Sequence, residues 1–249
     1  MQTSAFENAR AAFFSSLNNP TEIASDLQAA SIKFDAALLN DVQNLSAYAN
    51  DPTRAAINLG VYLADLNYCL GFGKSAQTKT LFEAARELSQ AIGVEQKILD
   101  FLMTRYQDHL QQNDSVKQVL LELYTQSTIK LEGTERERHA AYIMAGYQIE
   151  TLHLLLSILE SASLNPSNTK LYEKYFQTVV NSRAGVSIMY AYLRNMADPL
   201  DPERNPNYLH YTNAFEELLA TYERVQPGSD LAPLKEKVEV IRTRMVAVK

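Results

Sequence analysis

The chain of 249 residues contains one cysteine and no tryptophan. A single thiol, Cys69, excludes an internal disulfide framework, a cysteine-based zinc site and a haem attachment motif. It lies in an apolar run with no histidine near it in sequence, the setting of an inert buried thiol. Glycine and proline number 8 each. That is about half their usual usage and disfavours a turn-rich all-β fold. No run reaches the ~18 apolar residues of a membrane span; the longest, near Leu152–Leu159 and Val186–Leu193, are short and carry polar residues. Positive charge is also short, leaving a net charge of −6. That sign is wrong for holding a phosphate backbone, so nucleic acid is not an expected partner. The C-terminal segment gathers Lys235, Lys237, Arg242, Arg244 and Lys249, but Glu236 and Glu239 interleave, as on a solvated helix face.

Motifs of common chemistries are missing too. Gly71-Phe72-Gly73-Lys74-Ser75 has a Lys-Ser pair but lacks the first glycine and the preceding strand of a phosphate-binding loop. There is no Gly-x-Ser-x-Gly nucleophile elbow. The first residues, Met1 to Phe14, lack a basic start and a long apolar core, so they do not read as a signal peptide. Two expectations follow: a cytoplasmic protein as written, or a cell-envelope or periplasmic protein if the chain is a trimmed mature form.

What is present is helical periodicity, over a hydrophobic fraction of 46% that suits a globular core. Apolar residues recur at helical spacing over about 3–17, from Pro20 onward, and over about 34–48. Asp51-Pro52 then opens a helix that runs to about Leu70 and stops at Gly71-Phe72-Gly73. Further helices are expected at about 75–92, 95–111 and 113–132. Thr134 and Glu137 form a capping box for a long helix reaching about Ser161, with Tyr142, Ala145, Ile149, Leu152, Leu156 and Leu159 as its seam. Asn165-Pro166 breaks the chain. Another long helix covers 168–197, with a candidate kink at 181–185. Three prolines make 198–206 a stiff loop. The last two helices span about 207–225 and 229–247. Short connections favour antiparallel neighbours. The expected fold is therefore a single all-α domain over 1–249, an antiparallel multi-helix bundle of roughly ten helices. A tandem helical-hairpin module for peptide binding is the alternative.

Two constellations carry candidate chemistry. Asn58, Tyr62, Asp65 and Cys69 fall on one face of the 52–70 helix, which is apolar nearly all round. A carboxylate on such a central helix costs several kcal/mol unless paired or hydrogen-bonded. Asp65 therefore calls for a Tyr hydroxyl, a Lys or Arg, or a backbone amide. The bland alternative makes Arg54, Asn58 and Asp65 a narrow wet edge. The second constellation is Glu150 and His153, three apart on one helix face, the spacing found in carboxylate di-iron bundles. No second Glu-x-x-His copy exists, so a polar stripe of His139, Glu150, His153, Ser157 and Glu160 is the competing reading. Tyrosine is abundant, 14 against 9 Phe, which suits a helical groove with a wet lining or hydrated helix boundaries.

Leu59-Gly60-Val61-Tyr62 followed by Asp65-Leu66-Asn67-Tyr68, the Pro20-Thr21-Glu22-Ile23-Ala24 start, and Ala145-Gly146-Tyr147-Gln148-Ile149-Glu150 carry a resemblance over about residues 19–160. Together they resemble an uncharacterised all-α family of Bacteroidetes proteins, usually exported or lipoprotein-like. The resemblance implies an envelope location and transfers no catalytic role. It makes Tyr62, Asp65, Tyr68 and Glu150 the shared polar positions, and Gly60 and Gly146 sites of close helix approach.

The functional expectation is a non-catalytic ligand- or partner-binding or scaffold protein of the cell envelope, with no cofactor. Its ligand-binding residues would be Asn58, Tyr62, Asp65, Tyr68 and Glu150, lining a groove for a small molecule or partner peptide. The rival is a metal-dependent enzyme using Glu150, His153 and Asp65 as ligands. A third reading is a structural homodimer, marked by a dry apolar patch.

Overall fold

The structure is a computed structural model that describes residues 26–27, 30–93, 100, 104, 134–196, 206–226 and 228–248. Regular structure among the described residues is entirely helical. Seven α-helices are described over their length: α1 (Leu45–Ala49), α2 (Pro52–Gly71), α3 (Ser75–Ala91), α4 (Thr134–Ser163), α5 (Thr169–Met196), α6 (Pro206–Tyr222) and α7 (Ala232–Met245). Seven do not match the roughly ten expected. The helices read near 3–17, from Pro20, at 95–111 and at 113–132 lie mainly or wholly outside the described residues.

One expected helix is replaced. Residues 34–48 form two 3-10 turns, Ala36–Leu38 and Val42–Asn44, and then the short α1. The reason is local: the Asp35 carboxylate accepts from the Ala37 N–H, and Asp41 from the Gln43 N–H, so each aspartate starts a new turn. Residues 32–44 thus make an irregular strap. At the other candidate break, 181–185, α5 continues as one helix.

The start of α2 follows its sequence signal. Asp51 accepts from the Thr53 and Arg54 N–H groups, and Pro52 occupies the first turn. Gly73, at φ +63°, takes the left-handed turn beyond its end. The helix is buried on nearly every face because α3 and α4 pack against it. α4 in turn contacts α5 and α7, while α6 packs on α5 and α7. The return of α7 to α4 departs from a tandem array, in which each repeat touches only its neighbours.

At the α2–α4 crossing the two backbones touch. A Cβ on Gly60 would lie 2.0 Å from the Ile143 carbonyl oxygen, and one on Gly146 would lie 2.1 Å from that of Ile57. The obstacle in both cases is backbone, which cannot swing aside, so the helices must part to admit a methyl group. Gly146→Ala is therefore expected to cost about 3 kcal/mol or more in urea unfolding. Gly185→Ala, whose Cβ would meet the flexible end of Gln148 at 3.2 Å, should stay within about 1 kcal/mol of wild type. Equal losses at the two positions would remove the backbone contact as the cause.

Candidate functional site

About one helical turn beyond the touching glycines, α2 contributes Asp65 and α4 contributes Glu150. Both are 0% exposed. A buried carboxylate demands a partner, and α7 provides it. Arg242 donates from Nε to Glu150 Oε2 at 2.6 Å and from Nη2 to Oε1 at 2.8 Å. This forked pairing is the strongest geometry available to the two groups. Burial alone would weaken the Arg242 charge, but the Glu150 bonds and its negative charge more than offset that, and the guanidinium holds its proton more tightly than usual.

Asp65 is served less completely. The backbone N–H of Asn40 donates to its Oδ2 at 2.9 Å, while Oδ1 receives no hydrogen bond. Its carboxyl also lies within hydrogen-bonding reach of Glu150, another acceptor. Burial, with Glu150 beside it, pushes Asp65 well above the usual carboxylate range; the Asn40 N–H and the Arg242 charge act the other way.

Polar groups of the strap complete the cluster. Arg242 Nη2 also donates to the Leu38 carbonyl at 2.9 Å. His153 faces the same carbonyl through Nε2 at 3.3 Å, and Glu239 of α7 through Nδ1 at 2.6 Å. Asn40 Nδ2 donates to Asn58 Oδ1, and Asn58 Nδ2 to the carbonyls of Arg54 and Met245. The Tyr48 hydroxyl donates to the Val246 carbonyl at 2.8 Å, and that of Tyr62 to the Asp41 carbonyl at 3.1 Å. Buried amides and hydroxyls are thus paired, as they must be without water. The result is a knot tying the strap and the end of α7 to α2 and α4.

Four of the five predicted ligand residues, Asn58, Tyr62, Asp65 and Glu150, meet in or beside this knot. Tyr68 does not. Its ring stacks on Phe34 at 5.4 Å and its hydroxyl accepts from the Asp35 N–H, fastening the start of the strap. The wet-edge reading fails, since Asn58 and Asp65 are fully buried. Of the expected Tyr-lined groove, Tyr62, Asp65 and Glu150 are all 0% exposed, covered by one another and by the strap. The metal-ligand expectation for Glu150, His153 and Asp65 finds Arg242 on both Glu150 oxygens and His153 turned to Glu239. Among the described residues no three His, Cys, Asp or Glu side chains are grouped to hold a metal ion. Cys69 is buried, and burial pushes its thiol up to about 12, so it is a poor nucleophile.

Sequence reasoning missed Arg242, Asn40, Tyr48 and Glu239. Arg242 was grouped with the basic residues of the last helix. In the structure those charges are largely spent within the protein, Lys235 on Glu160 and Lys237 on Glu217. The available signal was its place beside Ile241, on the seam of Leu234, Val238, Ile241 and Met245 that α7 buries.

The open space lies next door. A groove of about 530 Å³ runs between the strap and the start of α3, lined by Leu39, Asn40, Asp41, Val42, Gln77 and Thr80 among others. It adjoins the knot through Asn40. Compared with protein-family models, curated proteins and solved structures, the chain matches none.

Arg242→Met would leave the Glu150 carboxylate buried without its cation, and is expected to cost about 3–5 kcal/mol in chemical denaturation. Adding Glu150→Leu should recover much of that loss, because an apolar pair needs no solvation. A single-variant cost under about 1 kcal/mol, the size of an exposed ion pair, would contradict the buried pairing.

Proposed function

We propose that the protein is a non-catalytic binding or scaffold protein, in which the buried knot holds the strap in place and the strap forms one wall of the binding groove. The observation that supports this most is the division of labour around Asn40. On one side, acid, base and hydroxyl groups of the kind that perform catalysis are consumed by one another out of solvent. On the other, an open groove is bordered by aliphatic and polar side chains, with the Asp41 carboxylate as its one acid. A small organic molecule or an extended peptide segment suits such a lining.

Placement in the cell envelope rests on the motif resemblance at 59–68 and 145–150. Among the described residues no helix is long and apolar enough to cross a membrane.

Native mass spectrometry of protein purified gently, without chelator, tests the reading. A non-covalent organic or peptide mass is expected. It should vanish on Thr80→Arg, which blocks the groove wall, and persist on Asp65→Asn in the interior. A bare chain in every preparation would remove the ligand-binding form of the proposal. A retained metal ion lost on Glu150→Gln would replace it with the metal-dependent alternative at Glu150, His153 and Asp65.

A further inference from the structure

Two carboxyl groups in the knot, Asp65 and Glu150, are fully buried and lie within hydrogen-bonding reach of each other. Arg242 spends two of its N–H groups on Glu150 and a third hydrogen bond on the Leu38 carbonyl. Asp65 has a single N–H donor, on Oδ2, and no protein group donates to its Oδ1. One cation and two acids leave one negative charge too many for a site closed to solvent. Like-charged carboxylates in one site cannot both ionise cheaply; one retains its proton. A proton on Asp65 would supply the missing hydrogen bond to Glu150 and cancel the excess charge together.

We propose that Asp65 and Glu150 share one proton, carried on Asp65, and that this proton makes the closure of the 32–44 strap pH-dependent. The groups facing Asp65 are known from each packed element. Glu150 comes from α4, Arg242 from α7, and the Asn40 N–H from the strap. Tyr62, Tyr68 and Cys69 stand near it on its own helix. Asp41 of the strap and Glu87 of α3 act on the same neighbourhood through Tyr62. His153, buried on α4, pairs with the part-exposed Glu239 of α7. Among these groups Arg242 is the cation that acts on Asp65, and it is already committed to Glu150.

The strap is the part that yields. Only Asn40 is buried between Ser31 and Asn44; Phe34, Leu38, Leu39 and Val42 are half-buried. Lifting it forfeits less apolar packing than parting two long helices; its cost lies mainly in the hydrogen bonds of the knot, the Asn40 N–H on Asp65 among them. Once lifted, it admits water to Asp65, whose affinity for the proton then falls towards the ordinary value near ~3.9. The closed state binds one more proton than the open one between that value and the closed-state titration. Raising the pH across this window therefore favours opening, by about tenfold per pH unit.

Infrared spectroscopy and hydrogen–deuterium exchange test both halves. At neutral pH the wild-type protein should show the carbonyl stretch of a protonated carboxylic acid, and the band should move on labelling with carboxyl-13C aspartate. After correction for intrinsic exchange rates, opening of residues 35–42 should rise at least about tenfold from pH 6 to pH 8. Asp65→Asn keeps an acceptor for the Asn40 N–H and gains a fixed donor towards Glu150. It should lose the acid band and flatten the pH profile of the strap to less than about twofold. If that variant does not fold, the labelled band and the wild-type exchange profile decide alone. Absence of a labelled acid band at neutral pH would overturn the shared proton. A wild-type strap no more pH-sensitive than Asp65→Asn, or flat when only the wild type can be measured, would overturn the coupling.

Discussion

Charge imbalance in a dry interior is the constraint to which the rest of this structure answers. Asp65 and Glu150 are both closed off from solvent, and the one guanidinium beside them is bonded to Glu150. Each buried ion needs hydrogen bonds from several directions to be tolerable. No single helix can supply them. The donors and acceptors come instead from four separate pieces of chain: α2, α4, α7 and the strap. Satisfying the imbalance is therefore the same act as assembling the fold around it.

The close α2–α4 crossing makes this possible. With Gly60 and Gly146 at the contact, the two backbones meet where ordinary side chains would hold them apart. The carboxyls one turn further on are consequently brought within reach of each other. A wider crossing would leave room for water between them, and two hydrated carboxylates would then ionise independently. Small residues at one level of the helix pair thus govern the electrostatics at the next. The strap and the α7 terminus close the remaining directions, through the Leu38 carbonyl, the Asn40 amide and the Tyr48 bond to Val246.

Much of the frame was legible in the sequence because it is written locally. Asp51-Pro52 and Gly71-Phe72-Gly73 mark the ends of α2, and period-3.6 apolar seams mark α4 and α5. The need of Asp65 for a partner followed from its position on a helix apolar all round, and the two glycines were identified as close contacts. What stayed hidden was non-local. Arg242 is 92 positions from Glu150, and its place beside the Ile241 seam does not name that partner; Arg244, beside Met245, is exposed. The strap was read as a helix because its apolar residues fall at helical spacing. Asp35 and Asp41 compete with that spacing by capping turns of their own. Tyr68 was grouped with Tyr62 by motif, but the extra residues between them turn its ring towards Phe34 and Phe72. The groove beside the strap left no mark on the sequence, since it exists only once the strap is in place.

A purely apolar core would hold these helices at no electrostatic cost, and often with greater stability. Apolar contact, however, is non-directional. The α7 seam of Leu234, Val238, Ile241 and Met245 repeats at helical spacing, so a slide by one turn would present a similar face to α4. A forked Arg242–Glu150 pair is met in one register alone, and a slipped helix would strand both charges. The same holds for the strap, whose half-buried residues offer little apolar grip, while Asn40 finds partners for its amide and its side chain in a single position. The buried ions therefore add direction where the apolar packing supplies only adhesion. That is how a short, irregular segment is given one position, and with it the wall of a groove.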